Sequence, residues 1–226
     1  MSPSGAGYLA ARLDRGGACL LPAPLNVNKE DLELLYRALG RGLLVCQYVE
    51  DTLYLAAFAA SRLSHGECAK QFYGKFHGVG GRLNFTDRVL KTKLNSTAYD
   101  RSWHVIFEEL QRFVEYRNSL AHFEVYHITE ETGLASEPPT KYKVILSESH
   151  MNAPKRASEK IRSLSIELIE SNNNAAREQA YKLIYFIVDH FPLDAFLGKG
   201  LLPIAEFQLT GFYTNPRPPE FPPYIA

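Results

Sequence analysis

Cysteine is scarce in this chain. Three occur among 226 residues, Cys19, Cys46 and Cys68, an odd number with no two in a CxxC pair. A disulfide framework is therefore not expected, and the usage fits a reduced, intracellular protein. An excess of one charge is also lacking: Lys plus Arg is 25, Asp plus Glu is 25, and the net charge is zero. That excludes a globally basic nucleic-acid binder, so any polyanion site has to be a local patch. No N-terminal segment joins basic residues to an apolar run, and no secretory leader is expected. The most apolar stretch, Leu43–Ala60, is interrupted by Gln47, Glu50 and Asp51, too many polar groups for a membrane helix of that length. The expectation is a soluble cytoplasmic protein with no membrane partner. No GxSxG string supports a hydrolase elbow, and there is no internal repeat.

What is present is an ordinary globular composition, 46% hydrophobic and 22% charged. The length fits one large domain, or one domain with an elaboration, able to bury a core without disulfides or metals. Residues 1–27 are rich in glycine and proline and read as an N-terminal arm. Asn28 stands where an N-cap belongs, with Glu30 and Asp31 in the first turn. Leu32, Leu35, Leu39, Leu43, Cys46, Val49, Leu53 and Ala57 then recur at helical spacing, with Gly40 and Gly42 as places to kink or split the helix. Residues 64–82 hold five glycines and read as a connector with a short helical piece near Glu67–Tyr73. A second helix is expected over Leu83–Leu94. A third begins near Tyr99 or Asp100, carries the stripe Trp103, Ile106, Phe107, Leu110, Phe113 and Val114, and runs to about Ala121.

The period then changes. Phe123–Thr129 alternates roughly between polar and apolar, and Lys141–Leu146 is again strand-like, which predicts a β-hairpin at about 123–147 inserted between helices. Helical pattern returns at Ser158–Ile169 and Ala175–His190, with Asn172–Asn174 either separating two helices or forming the polar face of one. Pro192 ends the pattern. Residues 201–226 hold six prolines and read as an extended tail. The fold class expected is mainly α: an up-and-down helical bundle over 28–200 with an inserted β-hairpin and extended terminal arms.

The chemistry concentrates in Phe113–Tyr126, FVEYRNSLAHFEVY. Asn118 and His122 are i and i+4 on the third helix and share a face, and Arg117 lies about 100° round from Asn118. A permanent cation, an amide and an imidazole thus converge where a helix ends, a position that favours a protonated imidazole. These groups suit RNA cleavage through the 2′-hydroxyl. The reaction needs a base for that proton, an acid for the leaving 5′-oxygen and a cation for the charge on the phosphorane. Histidine serves as base or acid near neutral pH, arginine offers a fixed fork to non-bridging oxygens, and asparagine orients either. One chain supplies one such histidine, so a two-fold dimer built on this helix would bring two sets into one cleft.

The string Arg117-Asn118-Ser119-Leu120-Ala121-His122, with four residues between Arg and His, resembles the motif of the HEPN superfamily (higher eukaryotes and prokaryotes nucleotide-binding domains). The motif covers six residues, and the helix order extends the resemblance loosely over Asn28–His190. The resemblance implies a four- or five-helix bundle, dimerisation through the motif helix and metal-independent endoribonuclease activity. No cofactor is implied, RNA is the substrate, and an antitoxin or other partner protein accompanies many members in toxin–antitoxin or anti-phage systems. Glu50, within Tyr48–Asp51, looks like the acidic position that many members place near the site, and substrate contact is carried over to it. One toxin branch has Tyr two residues after the His, where this chain has Glu124, so the resemblance does not extend to that branch. Residues 70–117 hold nine Lys/Arg against five Asp/Glu, which allows a modest basic face.

Plainer readings stand beside these. Some HEPN members bind without cutting, and Arg117 and His122 could simply cap helix-end carbonyls in a structural protein. His65, Cys68 and His77 lack a fourth zinc ligand and a familiar spacing. Gly78–Arg82 precedes a helix but has neither GxGxxG nor a GKS/GKT ending, and reads as a flexible connector. Glu108 and Glu109 point in different directions and read as a solvated edge, and the Trp103–Phe113 stripe as core.

Overall fold

The computed structural model describes residues 21–22, 29–76, 78–130, 141–148, 163–197, 199, 201, 210–214 and 218. The protein has a mainly α fold with an inserted β-hairpin. In chain order the elements are β1 (Leu21–Pro22), α1 (Lys29–Ala60), α2 (His65–Gly74), α3 (Val79–Lys93), α4 (Ser96–Ala98), a π turn (Tyr99–Trp103) and α5 (His104–His122). Then follow β2 (Phe123–Glu130), β3 (Lys141–Glu148), β4 (Ser163–Ser165), α6 (Ile166–His190) and a 3₁₀ turn (Leu193–Ala195). The chain divides into two compact units, one of Met1–Gly40 with Ser119–Glu170, the other of Arg41–Asn118 with Ser171–Ala226.

The first unit contains the antiparallel sheet, ordered β1-β2-β3-β4. β2 and β3 pair without a bulge from Phe123 opposite Glu148 to Glu130 opposite Lys141. Consecutive residues Val144, Ile145, Leu146 and Ser147 are all buried, so both faces of β3 are covered there. The helix expected over Ser158–Ile169 is corrected in part. Residues 163–165 pair with β3 as a strand, Leu164 opposite Leu146, and α6 starts only at Ile166. Residues 158–162 lie outside the described residues.

The second unit holds the large helical core. α1 runs through Gly40 and Gly42 unbroken, and within this unit it buries Cys46, Val49, Leu53, Tyr54, Ala57 and Phe58. Among the described residues α1 alone is long and apolar enough to cross a bilayer by length and composition, and 61% of its most apolar window is buried inside the protein. α2 opens with a capping box: Ser64 Oγ accepts from the Glu67 backbone N–H, and the Glu67 carboxylate accepts from the Ser64 N–H at 3.0 Å. These two bonds satisfy otherwise orphaned donors.

The glycine string is a second correction. Gly78 is the N-cap of α3, and Val79-Gly80-Gly81-Arg82 forms its first turn rather than a flexible connector. A Cβ on Gly81 would lie 3.3 Å from the Phe76 side chain, and one on Gly80 3.5 Å from Val114. The glycines therefore permit close packing, which outweighs their low helix propensity.

The Trp103, Ile106, Leu110 and Phe113 stripe is core, as its spacing indicates. The asparagine run lies within an unbroken α6, where Asn173 is buried and accepts a 2.6 Å hydrogen bond from the Tyr116 hydroxyl. Glu108 is solvated, whereas Glu109 pairs with Lys182 at 3.1 Å. α6 ends at His190, two residues before Pro192. In the C-terminal tail residues 210–214 are helical, not extended.

Candidate functional site

α5 carries Arg117, Asn118 and His122 in its last turns and passes directly into β2. Leu110 and Phe113 face the core, and the same periodicity turns Asn118 and His122 outward. Both are exposed. His122 is the basic residue of the last turn of α5, where the carbonyl ends of the helix dipole attract a cation. Among the described residues neither Arg117 nor His122 donates to a backbone carbonyl.

Arg117 and Asn118 belong to the second unit, His122 to the first. Within the second unit Arg117 is half-buried and faces α1. Its Nε lies 3.5 Å from Glu50 Oε1, and the guanidinium side chain remains 34% exposed. Among the described residues Glu50 is its only polar partner. The carboxylate thus meets the guanidinium from its Nε side, and among the described residues the Nη groups make no hydrogen bond. Those groups form the fork that matches two oxygens of a phosphate.

Glu50 itself is 4% exposed. Its other oxygen, Oε2, pairs with Nη1 of Arg82, the last residue of the glycine string. Burying a carboxylate is costly unless its charge is paired, and two guanidiniums pair with it here. Glu50 does lie beside Arg117, but it is buried and both its oxygens face cations. It is built to hold arginine side chains; an exposed carboxylate would repel a phosphate. Nothing in the local pattern of the sequence singles out Arg82. The residue lies 32 positions from Glu50, and only its place at the end of an anion-cradle-like string marks it.

Next to this cluster Asp51 accepts from Gln47 at 2.8 Å and from the Tyr73 hydroxyl at 3.3 Å. Burial pushes the Tyr73 hydroxyl well above its usual value, and Asp51 adds to the shift. Cys46 lies one turn before Glu50. Burial pushes its thiol up to about 12, against a smaller opposing pull from Arg117, so it supplies no thiolate nucleophile near neutral pH. Cys68 is fully buried. Tyr54 Oη lies 2.6 Å from His65 Nδ1, which ties His65 into an aromatic cluster with Phe58 and Phe72. Among the described residues no three of His, Cys, Asp and Glu are grouped to hold a metal ion. His77 lies outside them.

Comparison with protein-family models, with curated proteins and with solved structures finds no match to this chain.

Proposed function

We propose that this protein is a metal-independent endoribonuclease of the HEPN type, cytoplasmic, acting as a homodimer, in a toxin–antitoxin or phage-defence setting. The observation that supports this reading is the state of the motif arginine: Arg117 meets a buried carboxylate through Nε, stays partly exposed, and among the described residues makes no hydrogen bond through its outer N–H groups. On the same helix Asn118 and His122 are exposed.

In this mechanism an imidazole of His122 takes the proton from a ribose 2′-hydroxyl. The 2′-oxygen bonds to phosphorus, the P–O5′ bond breaks, and a proton passes to the leaving 5′-oxygen. The products are a 2′,3′-cyclic phosphate and a 5′-hydroxyl. The Nη groups of Arg117 take the non-bridging oxygens as charge builds on the phosphorane, and Asn118 orients the imidazole or the ribose. The second histidine comes from the partner chain across a two-fold axis at α5.

The test is pure protein incubated with RNA in EDTA. Wild type is expected to yield cyclic-phosphate ends, with loss of about 10²–10⁴ in rate for His122→Ala. Equal cleavage by both, at unchanged circular dichroism, rejects the assignment. A monomeric solution mass for an active enzyme rejects the shared cleft.

A second reading is a non-catalytic HEPN-like module that binds nucleotide, RNA or a protein partner. The large exposed side chains on α1, Tyr36, Leu43 and Leu44 (the last 74% exposed), favour it, because apolar groups left in water are what a protein partner covers. It predicts dimerisation and binding without product.

A further inference from the structure

Glu50 meets its two guanidiniums through different oxygens, and the two cations are not equivalent. Arg82 is fixed from several directions. Nη1 pairs with Glu50 Oε2, and Nε donates to the Phe76 carbonyl at 3.3 Å. The guanidinium carbon lies 5.0 Å from the Tyr73 ring centroid and 5.9 Å from that of Phe72. Only 18% of the Arg82 side chain is exposed, against 34% for Arg117. Arg82 is therefore a fixed component of the cluster, and Arg117 is the part that reaches solvent.

Two guanidiniums and one carboxylate sum to +1 within the triad, with the Asp51 carboxylate beside it on Tyr73. A lone Glu50–Arg117 pair would sum to zero. With both carboxylate oxygens open, it would also draw the guanidinium into a two-pronged contact that uses up its fork. Arg82 works against both outcomes, since it competes for Oε2 and offsets the charge of Glu50.

We propose that Arg82 is a positioning residue for Arg117: by engaging Glu50 Oε2 it competes for that oxygen, favours the Nε-side contact on Oε1 and leaves the Arg117 fork free to meet the phosphate of an RNA strand. The identity of the anion rests on the ribonuclease reading; the orientation of Arg117 does not, and the two can be tested apart.

The orientation is read by phenylglyoxal, which needs unengaged guanidinium N–H groups, with the modified peptides quantified by mass spectrometry. In the wild-type protein Arg117 is expected to react several-fold faster than Arg82; equal or reversed rates overturn the proposal without any variant. Arg82→Gln frees Glu50 Oε2 to capture the fork, and Arg117 reactivity should fall by about fivefold. Arg82→Lys keeps the charge and should preserve the reactivity. Adding Glu50→Gln to Arg82→Gln removes the captor and should restore it, a rescue that a merely structural role would not produce. Absence of the rescue, with the double variant folded by circular dichroism, refutes the role.

A 2′-O-methyl RNA, which binds but cannot be cut, supplies the second readout. Arg82→Gln should flatten the dependence of log K on log salt by about 0.7, the share of one single-strand phosphate contact, although Arg82 itself is sheltered. A wild type that binds no RNA yet shows the reactivity pattern overturns the ribonuclease reading and supports the positioning role. RNA binding without the pattern overturns the positioning role alone.

Discussion

Glu50 and Asp87 are two carboxylates of the same helical unit, and each is shared by two partners that are distant in the chain. Asp87, on α3, accepts from the Tyr99 hydroxyl at 2.7 Å and from the Trp103 indole N–H at 2.9 Å, both on the single oxygen Oδ1. Its partners are neutral, and Trp103 is fully buried. The result is a fastening that ties the π turn before α5 to α3 and gives a buried indole N–H the acceptor it requires. Glu50 is the more deeply buried of the two, yet its partners are both cations, each on its own oxygen, and one of them reaches solvent. Neutral donors on one oxygen fix the carboxylate in place and bring no positive charge with them. Cations on two oxygens give the carboxylate two positive partners, one of them the partly exposed Arg117. The first arrangement fastens the fold; the second is the one on which the proposed anion site rests.

The difference can be broken most severely at Glu50. Glu50→Gln removes the carboxylate that both guanidiniums contact and turns an amide NH₂ toward one of them. Loss of one partner from a buried ion pair costs about 3–5 kcal/mol, and the partial exposure of both arginines lowers this to about 2–3 kcal/mol. At about 2–4 °C per kcal/mol for a chain of this length, the thermal midpoint should fall by roughly 4–12 °C. An unchanged midpoint in differential scanning calorimetry would mean that the carboxylate is not holding the arginines. Next in size is Asp87→Ala, which strands the Trp103 N–H in the core and frees the Tyr99 hydroxyl. An unsatisfied buried donor costs about 1–3 kcal/mol. Trp103 is the only tryptophan in the chain, so its fluorescence reports the site directly. The expected outcome is an altered emission maximum together with lower stability, at undiminished RNA binding; weaker RNA binding in the folded protein would erase the distinction between the two carboxylates.

The sequence made the string around Arg117 visible because its three groups are neighbours along one helix, and it made the hairpin visible because the hydrophobic period changes at Phe123. What it hid are the pairings across distance. Arg82 reaches Glu50 over 32 positions, Trp103 reaches Asp87 over 16 and Tyr116 reaches Asn173 over 57. None leaves a local periodic trace. Asn172–Asn174 therefore read equally well as a break or as a solvated face, when one of the three is a buried acceptor. The misread glycines share that cause. Their composition alone indicates a connector, and only the close approach of Phe76 to Gly81 gives a packing reason for a glycine in this turn. Ser163–Ser165 is a strand because β3 offers it an edge, a tertiary effect that overrides a short ambiguous pattern.

The smallest effect gives the sharpest contrast. Both donors on Asp87 converge on one oxygen, and the amide of Asp87→Asn keeps an oxygen there that can accept both bonds. The same carboxylate-to-amide exchange that damages Glu50 should therefore cost less than about 1 kcal/mol at Asp87, the difference between charge-assisted and neutral hydrogen bonds. It should also move Tyr99. Burial, and then Asp87, pushes the Tyr99 hydroxyl up to about 12. In Asp87→Asn the burial remains and the charge does not, so the value should shift down toward the ordinary tyrosine value near 10. Because the folded value lies above the unfolded one, this hydroxyl contributes stability that is fully present below about 10 and is lost as the pH rises through about 12. The variant should lose that contribution at a lower pH. ¹³C-tyrosine NMR, with Tyr99 assigned through Tyr99→Phe, measures the shift, and urea unfolding between pH 9 and pH 11 measures the stability. If Asp87→Asn unfolds as readily as Glu50→Gln, the charge of Asp87 is holding the turn, and the division between a carboxylate that fastens and a carboxylate that frees a cation fails.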